Sequence, residues 1–386
     1  MIRIVADDKI PFLRSVLEPF AEVVYLPGSK ITNHLIKGAD ALLIRTLTKC
    51  DEKLLTDSSV KFIGTATIGF DHIDTRYCDN HSIRWINAPG CNASSVQQYI
   101  ACALFAIAAK TGIALLVQTL GIAGVGHVGK LVEAFAHSIG MKVLLNDPPR
   151  DRIEGPGKFV SLEHLIQSSD ITTLHVPLNK SGIDSTLHLI NKDSFRMMKK
   201  NAWLINSARG EVIDTLALKE VVSSHNFPGL VLDVWENEPT IDPELMSFAY
   251  LATPHIAGYS SDGKAHGTSA IVRELSNFFN LPLNDWFPAD IPAPSHPELT
   301  IDGKNKAVSD IIQEAVCHTY SITDDDRCFR AAPQTFEQQR GRYPVRREFS
   351  AYHIALRNVS PETIGLLKDI GFSVDPTISI LHQPDD

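Results

Sequence analysis

Cysteine is sparse in this chain and never paired. Its six cysteines stand at 50, 78, 91, 102, 317 and 328, with no C-x-x-C among them. A zinc ribbon or a redox dithiol is therefore not expected, and free thiols in a reducing compartment are the plain reading. No H-E-x-x-H occurs, and no His/Cys/Asp spacing suggests a metal site. Long hydrophobic runs are missing too: the longest, residues 99–109, is too short to span a bilayer. The opening M-I-R-I-V-A-D-D lacks the apolar region of a signal peptide, so the expected location is the cytoplasm. Basic residues are outnumbered, 36 Lys and Arg against 45 Asp and Glu, for a formal net charge of -9. That balance argues against a nucleic-acid partner, although a local arginine cluster can still hold a small anion. No solenoid-type repeat and no low-complexity tail is present.

What remains is an ordinary globular composition, 44% hydrophobic over 386 residues, long enough for two or three domains. Residues 2–6, 41–45 and 62–65 are apolar runs of strand length, with helical spacing between them, as at 11–20. Alternation of this kind implies a parallel sheet covered by helices. A long helix is expected over 94–110, a strand at 120–123, a helix over 128–138 and a strand at 142–146. Strands at 171–176, 202–206 and 230–234 follow, separated by helices at 191–198 and 215–223, in the manner of a doubly wound sheet. After a helix at 262–280, prolines at 282, 288, 292, 294 and 297 mark a boundary. Beyond it, helices at 306–320 and 361–370 and a strand at 352–356 read as a small α+β domain.

Chemistry enters at G-V-G-H-V-G, Gly124 to Gly129, between a strand and a helix. The first glycine permits the turn, the second admits a pyrophosphate, and the third lets helix and strand pack closely. The helix N-terminus favours the phosphate charge. Asp147 closes the next strand, near the offset at which an acid meets the adenine ribose hydroxyls and repels a 2′-phosphate. The expected cofactor is therefore NAD rather than NADP. Three further residues supply acid–base parts: Arg209 in I-N-S-A-R-G, Glu238 in D-V-W-E-N-E-P, and His255 in T-P-H-I-A-G. A guanidinium grips a carboxylate in two places. An imidazole exchanges a proton near neutral pH, and a carboxylate beside it orients the ring. Glu236 rivals Glu238, and spacing alone leaves that choice open. His72, His137, His164 and His188 read as structural.

In order and approximate spacing, these motifs resemble the D-isomer-specific 2-hydroxyacid dehydrogenase family over about residues 1–290. The resemblance implies a Rossmann-type NAD domain at 96–255 and a flavodoxin-like substrate domain from 1–95 and 256–285, able to close by hinge motion. It implies Arg209, Glu238 and His255 as the catalytic groups and selects Glu238 over Glu236. It places Gly124, Gly126, His127, Val128, Asp147, Asp233 and Gly258 at the cofactor. Further marks are G-T-A-T-I-G-F-D-H-I-D at 64–74, A-P-G-C-N-A at 88–93, N-D-P-P-R at 146–150, H-I-A-G-Y at 255–259 and the C-terminal extension. They resemble a branch of the family whose members dimerise through an extra domain, here 286–386. This closer likeness implies that Thr46, Thr67 and Tyr259 contact substrate and that Val176 lies against the cofactor. A homodimer is expected.

Two places depart from the family pattern: Gln98 stands where an acid is usual, and N-S-A-R-G has no Cys or Thr near Ala208, where one is common. A substrate with a carboxylate at one end and a phosphate at the other would need a second cation. Arg45 and Lys49 are candidates. A cluster of Arg340, Arg342, Arg346 and Arg347 is another, if it reaches a partner's site in a dimer. An unphosphorylated hydroxy acid as substrate, and a non-catalytic NAD sensor, are the alternative functions.

Overall fold

Short runs rich in Val, Ile and Leu form fourteen strands among the described residues, and every strand pairing is parallel. The computed structural model describes residues 1–223 and 229–375. It divides into two units. One holds Met1–Asn92 and Ser260–Pro292, the other Ala93–Tyr259 and the chain from Ala293.

The first unit carries β1 (Ile2–Asp7), β2 (Ala21–Leu26), β3 (Ala41–Ile44), β4 (Phe62–Thr65) and β5 (Arg84–Ile86) in the order β2-β1-β3-β4-β5. That is the flavodoxin-like order, whose crevice lies at the carboxyl ends of the strands. β3 and β4 are buried on both faces, which is why they read as unbroken apolar runs. The helix Ser261–Phe279 closes one face, with Ile271, Val272 and Leu275 packed into the cluster of Ile4, Leu43 and Phe62. Residues 11–20 do not form the expected helix. Phe12 and Ser15 adopt positive φ, 61° and 67°, and the backbone runs through successive turns instead.

The second unit holds β6 (Thr119–Ala123), β7 (Lys142–Asn146), β8 (Ile171–Leu174), β9 (Trp203–Asn206), β10 (Gly229–Leu232) and β11 (Leu251–Ala252). Their order is β11-β10-β9-β8-β6-β7. The order reverses beside β6, so the switch-point crevice opens at the end of β6, where the glycine turn begins. The helix Ala93–Thr111 is buried nearly all round. A helix so placed is apolar on every side rather than striped, and its Ala101, Ala103 and Leu104 share one core with β6 and with Ile301, Ile312 and Val316 further along. Here the C-terminal segment forms a second sheet from β12 (Glu298–Asp302), β13 (His353–Arg357) and β14 (Ser373–Val374), all parallel. Helices Ile322–Ala331 and Phe336–Gly341, not anticipated from the sequence, insert Phe329 and Phe336 into the cluster around Trp235. Among the described residues no helix is long and apolar enough to cross a membrane.

Candidate active site

β6 ends in a turn that only glycine allows. Gly124 has φ +87°, and a Cβ there would come within 2.7 Å of the His175 carbonyl carbon and oxygen. A Cβ on Gly129 would lie 2.1 Å from the Gly124 oxygen, so the helix His127–Ser138 starts hard against the strand end. Gly126 is different: nothing lies within 4 Å of its missing Cβ, and no side chain caps the helix it begins. The first N–H groups of this twelve-residue helix therefore face open space beside the exposed Gly126 and His127 and the half-buried Val128. That is the arrangement a pyrophosphate fits. Val176 edges the same turn, 2.9 Å from the position of a Gly124 Cβ. Its neighbour His175 is no rival base, because burial pushes its imidazole down to about 3.

Asp147 stands at the end of β7 with one carboxylate oxygen accepting from Val125 N–H at 2.8 Å and the other from Arg150 N–H at 3.1 Å. A carboxylate has about four acceptor positions, so two remain for a ribose diol. The nearby Arg150 guanidinium would be the natural anchor of a 2′-phosphate. It is already held by Glu154 through Nε at 2.5 Å and Nη2 at 3.0 Å, and by the Val125 carbonyl at 2.5 Å. The residues present fit NAD, and the Arg150 guanidinium is already engaged.

The loop after β9 places Arg209. Asn206 ties it from within, its amide donating to the Arg209 carbonyl at 2.8 Å while its oxygen accepts from Ala208 N–H at 3.0 Å. Gly210 then passes directly against the next strand-end loop: a Cβ there would sit 2.0 Å from the Trp235 carbonyl carbon. Arg209 is half-buried, with Nη1 donating to the Ala208 carbonyl at 2.7 Å.

Glu238 and His255 meet. Glu238 Oε2 accepts from His255 Nδ1 at 2.7 Å, and Oε1 accepts from Trp235 N–H at 2.9 Å. A carboxylate can only accept, so Nδ1 carries the proton and Nε2 is the open nitrogen. Burial alone would raise the Glu238 carboxyl, but the bonds from His255 and Trp235 prevail and hold it below the ordinary 4.5. The rival acid is engaged elsewhere: Glu236 Oε1 lies 3.3 Å from His188 Nε2.

His255 has φ +56°, a strained backbone for a residue with a side chain. Its surroundings over-determine that shape. His255 N–H donates to the Asp233 carbonyl at 2.7 Å. The Asp233 carboxylate, 1% exposed, accepts from Thr253 Oγ1 at 2.6 Å and from the N–H groups of Ile256 and Ala257, both at 2.8 Å. Tyr99 in turn bonds Thr253 at 2.8 Å. Asp233 thus organises the loop leading to Gly258 and Tyr259. Sequence reasoning missed Tyr99 and Thr253, which carry no motif of their own. Tyr259 sits under Arg340, 5.4 Å from guanidinium carbon to ring centre, and edge-on to Tyr343.

Thr46 and Thr67 belong to the first unit, following the adjacent strands β3 and β4. Thr46 is exposed, whereas Thr67 Oγ1 bonds Thr65 Oγ1 at 2.8 Å and the Gly69 carbonyl at 3.0 Å. Arg346 is not available to a partner subunit. It is 4% exposed, and both its terminal nitrogens are spent on oxygens of its own chain. Gln98 explains its departure from the family pattern: its amide donates to Thr319 Oγ1 at 3.0 Å and to the Arg347 carbonyl at 2.9 Å, which an ionised acid could not do.

A glycine turn at the switch point, an acid closing the second strand, and Arg, Glu and His on strand-end loops are the parts of an NAD-dependent 2-hydroxyacid dehydrogenase. Residues 103–257 match the family described as D-isomer specific 2-hydroxyacid dehydrogenase, NAD binding domain, and 291–371 match Domain of unknown function (DUF3410). The chain is 45% identical over 357 residues to the erythronate-4-phosphate dehydrogenase of Bacteroides fragilis, covering 92% of this chain and 99% of that one. The enzyme of that name from Porphyromonas gingivalis is 39% identical over 374 residues, covering 96% and 100%. The chain belongs to the D-isomer-specific 2-hydroxyacid dehydrogenase family, in its erythronate-4-phosphate dehydrogenase branch. Among solved structures it is similar to D-lactate dehydrogenase from Aquifex aeolicus complexed with NAD and lactic acid, with TM-score 0.60 and 28% identity over 72% of this chain and 95% of that one. NAD-bound 3-phosphoglycerate dehydrogenase of Entamoeba histolytica gives TM-score 0.62 and 25% identity, with the same coverage. NAD is the cofactor.

Proposed function

We propose that this dehydrogenase oxidises 4-phospho-D-erythronate at C2 to 3-hydroxy-2-oxo-4-phosphobutanoate, in pyridoxal 5′-phosphate (vitamin B6) biosynthesis. The 2.7 Å bond between Glu238 and His255 carries the chemical part of the reading. The names of relatives sharing nearly the whole chain support the substrate. Arg209 holds the substrate carboxylate with a planar fork and polarises the forming carbonyl. His255 Nε2 takes the C2 hydroxyl proton, and Glu238, already on Nδ1, stabilises the imidazolium that results. NAD, when bound, supplies the hydride acceptor. Gly124, Gly126, His127, Val128, Asp147, Val176, Asp233 and Gly258 serve the cofactor, and Thr46, Thr67 and Tyr259 the substrate. Arg45, after β3, and the exposed Lys49 are the cations proposed for the phosphate.

The test is reduction of NAD by purified protein with 4-phospho-D-erythronate and a carbonyl trap, followed by absorbance. D-Glycerate and 3-phosphoglycerate run beside it, with His255→Ala as control. Reduction confined to phosphoerythronate and lost in the variant is expected. Equal or better turnover of D-glycerate would overturn the substrate, and activity retained in His255→Ala would overturn the base. We also propose a cytoplasmic homodimer joined through the C-terminal domain. Sedimentation should give twice the 42.5 kDa chain mass, and a monomer at micromolar concentration would refute it.

A further inference from the structure

Arg346 sits in the C-terminal segment, ninety-one positions from His255 in the chain, yet its guanidinium ends on the catalytic loop. Nη1 donates to the Ile256 carbonyl at 3.3 Å, and Nη2 donates to the Ala257 carbonyl. Nη2 also reaches Ser95, its carbonyl at 3.3 Å and its hydroxyl at 3.1 Å, at the start of the long helix. The two residues whose carbonyls it takes are the two whose N–H groups are held by Asp233. Ile256 and Ala257 are therefore gripped on both sides, by an anion on their donors and a cation on their acceptors.

The cation is itself fixed. Its Cζ lies 4.5 Å from the centre of the Tyr320 ring and 6.0 Å from that of Tyr343. The hydroxyls of those two tyrosines donate to Asp325 at 2.8 and 2.6 Å. A buried arginine is costly unless its donors are satisfied, and apolar residues would fill the same volume without that cost. Here the terminal nitrogens, though not Nε, are spent on Ser95 and on the peptides that follow His255, the residue with φ +56°.

We propose that Arg346 is a positioning residue for the dehydrogenase reaction. It holds the 256–257 peptides so that His255 keeps its strained backbone and its ring stays on Glu238. The C-terminal segment then completes the acid–base site from within its own chain, whatever it does between chains. Lysine cannot replace it fully, since one ammonium lacks the planar fork that spans two carbonyls and the Ser95 oxygens. This inference rests on the proposed role of His255.

The test uses the full-length protein with Arg346→Met and Arg346→Lys. It measures kcat and KM for 4-phospho-D-erythronate, NAD affinity by tryptophan fluorescence, and far-ultraviolet circular dichroism. A small displacement of a reacting group costs on the order of a hundredfold. The expected result is a fall in kcat of about ten- to a hundredfold in Arg346→Met, partial recovery in Arg346→Lys, and NAD affinity within about twofold of wild type. Should Arg346→Met fail to fold, Arg346→Lys is held to the same split between kcat and NAD affinity. Unchanged kcat overturns the inference. So does a parallel loss of kcat, NAD affinity and secondary structure, which would make Arg346 a residue of the fold alone. An inactive wild type would sink the functional reading and this inference with it, whereas an active wild type with indifferent variants sinks only the inference.

Discussion

Glu238→Gln changes one atom of the central pair and exposes how the site is balanced. Glu238 and His255 are 22% and 31% exposed at their side chains and 2.7 Å apart. Unit charges centred roughly 4 Å apart at an effective dielectric near 20 attract by about 4 kcal/mol. Partial exposure screens some of that, and glutamine keeps a neutral hydrogen bond of about 1 kcal/mol. About 2–3 kcal/mol of support for the imidazolium is then lost, equivalent to roughly a thirty- to 150-fold fall in kcat. Geometry adds to the loss. Both Glu238 oxygens accept, one from Trp235 N–H and one from His255 Nδ1. A carboxamide has a single oxygen, so its NH2 must confront one of those donors. The assay is steady-state NAD reduction with 4-phospho-D-erythronate, NAD affinity being measured separately and expected to stay the same. A Glu238→Gln enzyme within about threefold of wild-type kcat would refute the argument, because so small a loss is under about 1 kcal/mol.

Glu238 also predicts a pH dependence of stability. Its folded value lies below the ordinary 4.5, so its contribution is complete above 4.5 and is lost as pH falls through the folded value. Thermal melts should show the margin of wild type over Glu238→Gln shrinking as pH falls from about 4.5 through the folded value of Glu238; a margin that grew below about pH 4.5 would contradict this. Gly129→Ala would put a Cβ 2.1 Å from a backbone oxygen and should weaken NAD binding at least about tenfold, or 1.4 kcal/mol, by titration. The pair Asp147→Ala and Glu154→Gln removes the acid and releases Arg150, which Glu154 now grips. Its kcat/KM ratio of NAD to NADP should fall by about tenfold or more, the worth of one charge-assisted hydrogen bond, and an unchanged ratio would reject the role given to Asp147.

Much of the fold was legible because the two larger sheets are parallel and largely buried. Such strands appear as short unbroken apolar runs, and those at 62–65 and 142–146 fall where the runs lie. The 11–20 segment misled because an apolar period says nothing about φ, and Phe12 and Ser15 take the left-handed region. β12 went unseen although E-L-T-I-D alternates: only Leu299 and Ile301 face the core, and the strand follows directly on the prolines read as a boundary. The glycine turn, Asp147, Arg209 and His255 were readable because each carries chemistry in its residue type and sits beside a strand end. The choice between Glu236 and Glu238 was not readable from spacing. Two acids two positions apart are equivalent until the loop turns one toward His255 and the other toward His188.

By itself the sequence determined most strands and helices of the dinucleotide-binding region, the glycine turn between them, and the set of groups able to bind a dinucleotide and move a proton. These are local properties, set by residue type and by near neighbours in the chain. Tertiary structure alone decided that Asp233 turns its carboxylate on the loop after His255, and that Arg346, from a segment with its own sheet, closes the same loop from the other side. A charged group in a dense arginine cluster looks the same in sequence whether it faces solvent or a buried carbonyl. Only the packing around it, here Tyr320, Tyr343 and Asp325, removes it from water and gives its hydrogen bonds a single destination.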